Sequence, residues 1–241
     1  MSRTRSSAES AGPFVLLHSP LVGVSSLAPT ARALEQRGLV CHLPQLPSSG
    51  AGVPQWQDCP RHLLEVVPRT EAPILAGHSA AGLLAAALAP ALSAAGLIFL
   101  DAGIAPGGGA TPPVEPEFLQ YVRRLPRQNG LLPPWSEWWG QDIFAGARVD
   151  PALQAAFEAE QPRLPVTWFD DSFEMPDWSG CRAAYLQTSA LFAGEADEAR
   201  RRGWPVVCLN GTHLHPFLEP EETAEALVAL GRECVAGSAG V

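Results

Sequence analysis

The 241 residues carry 16 basic and 25 acidic side chains, for a formal charge of −9 and a pI near 5.1. All sixteen basic residues are arginine; without a lysine, a Walker A phosphate loop, a Schiff-base mechanism and a Ser-Lys dyad are excluded. An acidic chain also lacks the field that neutralises phosphates, so neither nucleic acid nor an anionic membrane is an expected partner.

In chain order, the polar segment 1–12 precedes PFVLLHS (13–19), an unalternated apolar run that predicts a buried strand. The run Phe14 to Leu17 is too short for a signal-peptide core. SSLAPTARALEQRG (25–38) predicts a helix with a serine N-cap and Gly38 at its end. GLVCHLP (38–44) predicts a second strand, followed by a Pro/Ser/Gly loop and a helix over 53–67 interrupted by Pro60. Then come a strand at APILAG (72–77), a helix over 80–95 and a strand at AGLIFLD (95–101). Unalternated strands joined by helices imply a parallel sheet covered on both faces.

The composition changes after Asp101. Residues 102–180 are rich in proline and hold five of the seven tryptophans. Helices are predicted there at 115–125, 134–148 and 150–161. The βα rhythm resumes at AAYLQTS (183–189), EADEARRRG (195–203), WPVVCLN (204–210) and PEETAEALVALGREC (220–234). The reading is one α/β core, residues 1–101 and 181–241, with a helical lid, 102–180, inserted between two strands of one sheet.

Five widely spaced cysteines without a C-x-x-C pair argue against a disulfide framework or zinc ribbon and for a reducing compartment. No stretch approaches the roughly 20 apolar residues of a membrane span. A soluble cytoplasmic protein, monomer or homodimer, is expected.

The chemistry begins at Gly77-His78-Ser79-Ala80-Ala81-Gly82. A serine between a strand and a helix, with small residues two before and two after it, is what a nucleophile elbow requires. The strained turn exposes the hydroxyl above the sheet. A serine N-cap for the following helix is the competing structural role. After the last strand, GTHLHPFLEPEE offers His213 and His215 in the loop before the terminal helix.

These residues resemble the α/β-hydrolase superfamily, whose catalytic histidine lies about seven residues before a proline opening the final helix. His213 to Pro220 has that spacing; His215 is two short and is read as a pocket-lining or structural neighbour. The resemblance runs from Pro13 to Cys234, and HSPLVG (18–23) and LPPWSEWWG (132–140) look like small, mostly actinobacterial members. It implies a sheet of about six strands lacking the family's first strand pair, with the lid after the strand ending at Asp101. It also implies a Ser-His-acid mechanism through an acyl-enzyme on Ser79.

Two departures from the family pattern stand out. Phe192 falls at the common acid position, so the acid is sought at Asp101, Glu195 or Asp197, with Asp101 favoured and an acid-free dyad left open. One oxyanion donor is implied at the Ala80 N–H, but the usual second donor falls on Pro20, which has no N–H. Either the Ser19 hydroxyl or the Leu21 N–H substitutes for it, or the chemistry develops no full oxyanion; the sequence leaves these open.

Trp135, Trp138 and Trp139, at i, i+3 and i+4, share a helix face and form either lid-to-core packing or an aromatic wall over Ser79, with Phe192 beside it. Glu137, Asp170, Asp171 and Glu174 read as solvated lid charges. The leading expectation is a serine hydrolase for a carboxylic ester, thioester or lactone with a hydrophobic or aromatic portion, needing no metal and no cofactor. The alternatives are a cofactor-free lyase or cyclase using His213 as proton shuttle, and a non-catalytic ligand-binding member. Leu214, directly after the histidine, disfavours the lyase chemistry that the family supports with a lysine there.

Overall fold

In the computed structural model, which describes residues 12–47 and 53–236, the apolar runs build one parallel sheet. Its strands are β1 (Phe14–Leu17), β2 (Cys41–His42), β3 (Ile74–His78), β4 (Gly96–Leu100), β7 (Ala183–Gln187) and β8 (Val206–Cys208). They are ordered β2-β1-β3-β4-β7-β8, all parallel, which is the six-stranded sheet expected. The polar tail 1–11 and most of the Pro/Ser/Gly loop lie outside the described residues.

The central strands are apolar along most of their length because both faces are covered, with His78 and Gln187 only at their C-terminal ends. Phe14 and Leu16 enter one core with Ile98 and Leu100, against α1 (Ala28–Gln36) and α8 (Pro220–Ala236). Val15 and Leu17 enter the other with Leu97 and Phe99, against α2 (Cys59–Val66), α3 (Ala81–Leu88) and α6 (Ala193–Arg201). Successive side chains of a strand point to opposite faces, so a strand buried on both shows no polar alternation.

The lid, inserted between β4 and β7, contributes α4 (Pro116–Arg124), α5 (Pro151–Ala159) and an antiparallel ribbon of β5 (Gly109–Thr111) and β6 (Phe173–Met175). It shares its apolar interior with the sheet: Trp138, Trp168, Phe169, Met175 and Trp178 are buried in the same cluster as Leu75 and Phe99. The indole N–H groups find carbonyl partners, Trp168 on Pro54 at 3.0 Å and Trp178 on Pro106 at 2.7 Å. Such anchoring explains most of the tryptophan content: a large ring is buried and its single polar atom is satisfied.

Three local expectations are corrected. The helix predicted over 134–148 is a single 3-10 turn, Trp135–Glu137, and Gly140 at φ +66 turns the chain away soon after it. Pro60 does not interrupt the second helix but sits in its first turn, where its missing N–H costs nothing. The first helix has no serine cap: Val24–Ser26 form a separate 3-10 turn and Leu27 precedes the helix without a side-chain bond. The three-residue lid strands and the short helix α7 (His215–Leu218) had no counterpart in the sequence pattern.

Candidate active site

At the C-terminal end of β3 the ladder runs on to Ser79, whose N–H donates to the Leu100 carbonyl at 3.2 Å. Ser79 then takes φ +59, a left-handed conformation that costs a non-glycine residue on the order of 1 kcal/mol. Ala80 returns to helical angles and opens α3. The turn is closed so tightly that a Cβ on Gly77 would lie 2.2 Å from the Ala81 carbonyl oxygen. Ala81 itself is fully buried. The demand for small residues two before and two after the serine is therefore met by physical contact. The absence of a side-chain cap bond at this helix start removes the N-cap role considered for the serine.

Ser79 lines a narrow cleft with Ser19, Leu21, Val22, Ser26, His78, Trp135, Phe157, His213 and Leu214. Its free space is about 10 Å³, room for about one water. A roomier surface depression at Ser136–Phe144 and Glu158 lies apart from this chemistry and contains none of these groups but the neighbouring turn of Trp135.

Three segments meet at the base. His213 Nδ1 and Asp101 Oδ2 are 2.8 Å apart, and the imidazole is 15% exposed while the carboxylate is fully buried. Asp101 sits one residue past β4, at φ +44. Its Oδ1 accepts from the N–H groups of Thr188 and Ser189 at 2.8 and 2.9 Å, and its Oδ2 from the Ser189 hydroxyl at 2.6 Å. Burial by itself would raise the Asp101 pKa, but the bonds from His213, Ser189 and Thr188 favour the charged form and hold it below the usual carboxylate value. The Tyr185 hydroxyl donates to the Ala102 carbonyl at 2.7 Å, which fixes the turn that presents the acid.

The histidine loop is tied down by the same segment. Thr188 Oγ1 donates to the Thr212 carbonyl at 3.0 Å, and the Thr212 hydroxyl accepts from Leu214 N–H at 3.2 Å. Phe192 stacks on the His213 ring at 5.4 Å, and Trp135 lies 6.2 Å from it. Because Nδ1 faces a carboxylate, it carries the ring proton and Nε2 is the free nitrogen. Among the described residues, no hydrogen bond joins the Ser79 hydroxyl to that nitrogen in this closed cleft.

The remaining residues singled out in the sequence sort clearly. His215 faces away, its Nε2 3.0 Å from Glu222 on α8, and is structural. Glu195 makes no contact with the imidazole and Asp197 pairs with Arg200, so Asp101 alone reaches His213. Of the three tryptophans, only Trp135 lines the cleft. Trp138 is buried against Phe169, with its N–H on the Pro133 carbonyl, and Trp139 lies on the surface over Tyr121 and Phe118. They do not share a helix face because no helix forms there. Phe157, from lid helix α5, lines the cleft and was missed: one phenylalanine in an amphipathic helix gives no signal of its own.

Ser19 is buried beside the elbow, and its hydroxyl oxygen accepts from the Leu21 N–H at 3.3 Å. The Leu21 N–H is thereby occupied, while the Ser19 O–H retains its proton to donate. His18 does not reach the cleft. Its ring bonds the Ser19 carbonyl and the Leu46 N–H, bracing the loop after β1.

Burial pushes the Cys59 thiol up to about 12 and the Cys234 thiol to about 11. Among the described residues no group of three His, Cys, Asp or Glu side chains is placed to hold a metal ion, and no helix is long and apolar enough to cross a membrane.

Residues 14–226 match the family model described as the alpha/beta hydrolase family. The chain gives no match among curated proteins. Solved structures with the same fold include an extracellular alpha/beta-hydrolase from a Paenibacillus species, at 19% identity over 91% of this chain and 99% of that one, TM-score 0.68. A pyrethroid hydrolase from Sphingobium faniae aligns at 21% identity over 91% and 97%, TM-score 0.60. Tomato methylketone synthase I, as its H243A variant, aligns at 12% identity over 92% and 98%, TM-score 0.67. At these identities the likeness concerns the fold.

Proposed function

The chain belongs to the alpha/beta hydrolase family, and from that premise we propose that it is a serine hydrolase cleaving a carboxylic ester, thioester or lactone with a hydrophobic acyl portion. The observation that carries the reading is the His213–Asp101 contact of 2.8 Å in the same cleft as a serine held at φ +59. Asp101 keeps the proton on Nδ1, so Nε2 is free to take the proton of Ser79 as Oγ attacks the carbonyl carbon. The carbonyl oxygen becomes an oxyanion, met by the Ala80 N–H at the head of α3 and the Ser19 hydroxyl. Nε2 then gives its proton to the departing alcohol or thiol, leaving an acyl-serine. Water, deprotonated by the same nitrogen, releases the acid.

Leu21, Val22, Phe157, Leu214 and Trp135 make the cleft walls apolar, which suits an apolar or aromatic substrate. The names of two structural neighbours, a pyrethroid hydrolase and polyneuridine aldehyde esterase, are consistent with hydrolase and esterase chemistry. Pro20 favours a second reading, a cofactor-free lyase or cyclase, because the backbone donor usual at that place is missing and Leu21 N–H is taken by Ser19.

A fluorophosphonate probe separates the two. Hydrolysis predicts labelling that disappears in Ser79→Ala, together with turnover of p-nitrophenyl esters. Serine-dependent labelling without ester turnover supports the lyase, and no labelling of the folded protein refutes the nucleophile.

A further inference from the structure

The residue before the nucleophile has no part in the mechanism above, yet it is the closest ring to the base. His78 is 4% exposed, and its Nε2 lies 3.0 Å from the His213 carbonyl oxygen. The two imidazoles pack with centroids 4.6 Å apart and planes inclined by 32°. A carbonyl oxygen only accepts, so Nε2 of His78 carries the proton and donates it. Nδ1 of His78 is buried without any partner.

We infer that His78 is a positioning residue for His213: it clamps the main chain and one ring face of the base from the nucleophile's own elbow, and does so only as the neutral Nε2–H tautomer. The inference rests on the proposed Ser-His-Asp reading and extends it to a fourth side chain. Asp101 controls one edge of the His213 ring through Nδ1, and Phe192 covers a face at 5.4 Å. Thr188 holds the loop to the end of β7 through the Thr212 carbonyl, but none of these contacts ties it to the elbow. His78 does, because its position is set by β3 and is one residue from Ser79, while its donor grips a residue 135 positions later. The Ser79-to-Nε2 distance is thereby tied to a rigid turn rather than to a loop.

Neutrality follows from the surroundings. The ionisable groups facing His78 are His213 and Asp101. Protonating His78 would place a donor at Nδ1 with no acceptor and a second positive ring beside the imidazolium that forms at His213 during attack. Burial accordingly takes the His78 pKa down to about 3, with His213 adding to the effect. A neutral ring gives the same grip throughout the turnover cycle.

The test compares His78→Leu, which fills the space without a donor, with His78→Gln, whose amide nitrogen reaches the place of Nε2. Both are first shown folded by circular dichroism. His78→Leu is expected to lower kcat by about 10- to 100-fold with KM within about twofold, the scale of a misplaced reacting group. His78→Gln is expected to regain most of that loss. The proton on His213 Nδ1, read by its downfield NMR resonance, should persist in wild type and His78→Gln and broaden or vanish in His78→Leu. Full kcat in His78→Leu, or a folded His78→Gln as impaired as His78→Leu, would overturn the assignment. If wild type neither turns over esters nor labels at Ser79, the hydrolase reading fails separately. The NMR comparison then decides His78 alone: an unchanged resonance in His78→Leu overturns the clamp, and a lost one supports it.

Discussion

Replacing Asp101 by asparagine separates charge from shape at the acid. The carboxylate accepts on both oxygens: Oδ1 from two backbone N–H groups, Oδ2 from the Ser189 hydroxyl and His213 Nδ1–H. The amide has one oxygen and one NH₂. With the NH₂ at Oδ1, two buried backbone donors would face donors, at about 1–3 kcal/mol each. The amide oxygen therefore takes the Oδ1 place and the NH₂ points at Ser189 and His213. Ser189 adapts by turning its hydroxyl hydrogen. His213 adapts only by moving its proton from Nδ1 to Nε2, and Nε2–H cannot accept the proton of Ser79. The expected loss is about 10⁴-fold in kcat, or about 5.5 kcal/mol in the barrier, the size known for a wrong histidine tautomer in serine proteases. Stability, followed by urea unfolding, should change far less than in Asp101→Ala, which strands both backbone donors. The assay is p-nitrophenyl ester turnover at pH 7.5. A loss below about tenfold in a folded Asp101→Asn protein would refute the role of the acid, since that is far less than the tautomer argument demands.

Ser19→Ala should lower kcat by about 100-fold with little change in KM if its hydroxyl supplies an oxyanion bond; a loss under threefold would return that duty to the backbone. Ser79→Gly should be more stable to urea than Ser79→Ala by on the order of 1 kcal/mol, because glycine accepts φ +59 without strain; equal midpoints would mean the turn stores none. His78 has a folded pKa of about 3, below its unfolded value near 6.5, so the unfolded chain takes up the proton first. Its contribution is then complete above about pH 6.5 and declines toward pH 3 by about 1.4 kcal/mol per unit, about 2 kcal/mol by pH 5. His18, lowered likewise by burial, adds to the same fall. Denaturation midpoints at pH 7.5 and 5 measure the sum, and a profile flat over that range would contradict it.

The strand-forming runs were legible because a strand covered on both faces must be apolar throughout, and nothing else in so short a segment needs to be. The turn at Ser79 and the loop of His213 were legible for steric and topological reasons: small residues at Gly77 and Ala81 suit a tight strand-to-helix turn, and a histidine before Pro220 lies in the loop ahead of the last helix. The tryptophan segment misled. Spacing of i, i+3 and i+4 implies a shared face only if the helix exists, and here the chain makes one 3-10 turn before Gly140 at φ +66 redirects it. Phe157 and His78 were invisible as site residues, since a buried ring in a helix or beside a serine carries no pattern of its own.

The residue types excluded chemistry before any fold was known, and no arrangement in space can supply the side-chain amine that a chain of 16 arginines and no lysine lacks. Local spacing likewise set the elbow, because a φ of +59 and a Cβ clash are decided by neighbours one or two residues away. The identity of the acid was not local. Asp101 was favoured over Glu195 and Asp197 only through the family resemblance, and it is the pairing of β4 with β7 that brings Asp101 beneath the donors of Thr188 and Ser189 and against His213. A carboxylate contact across 112 residues depends on sheet order and on the turn after β4, which the packing of the whole core decides.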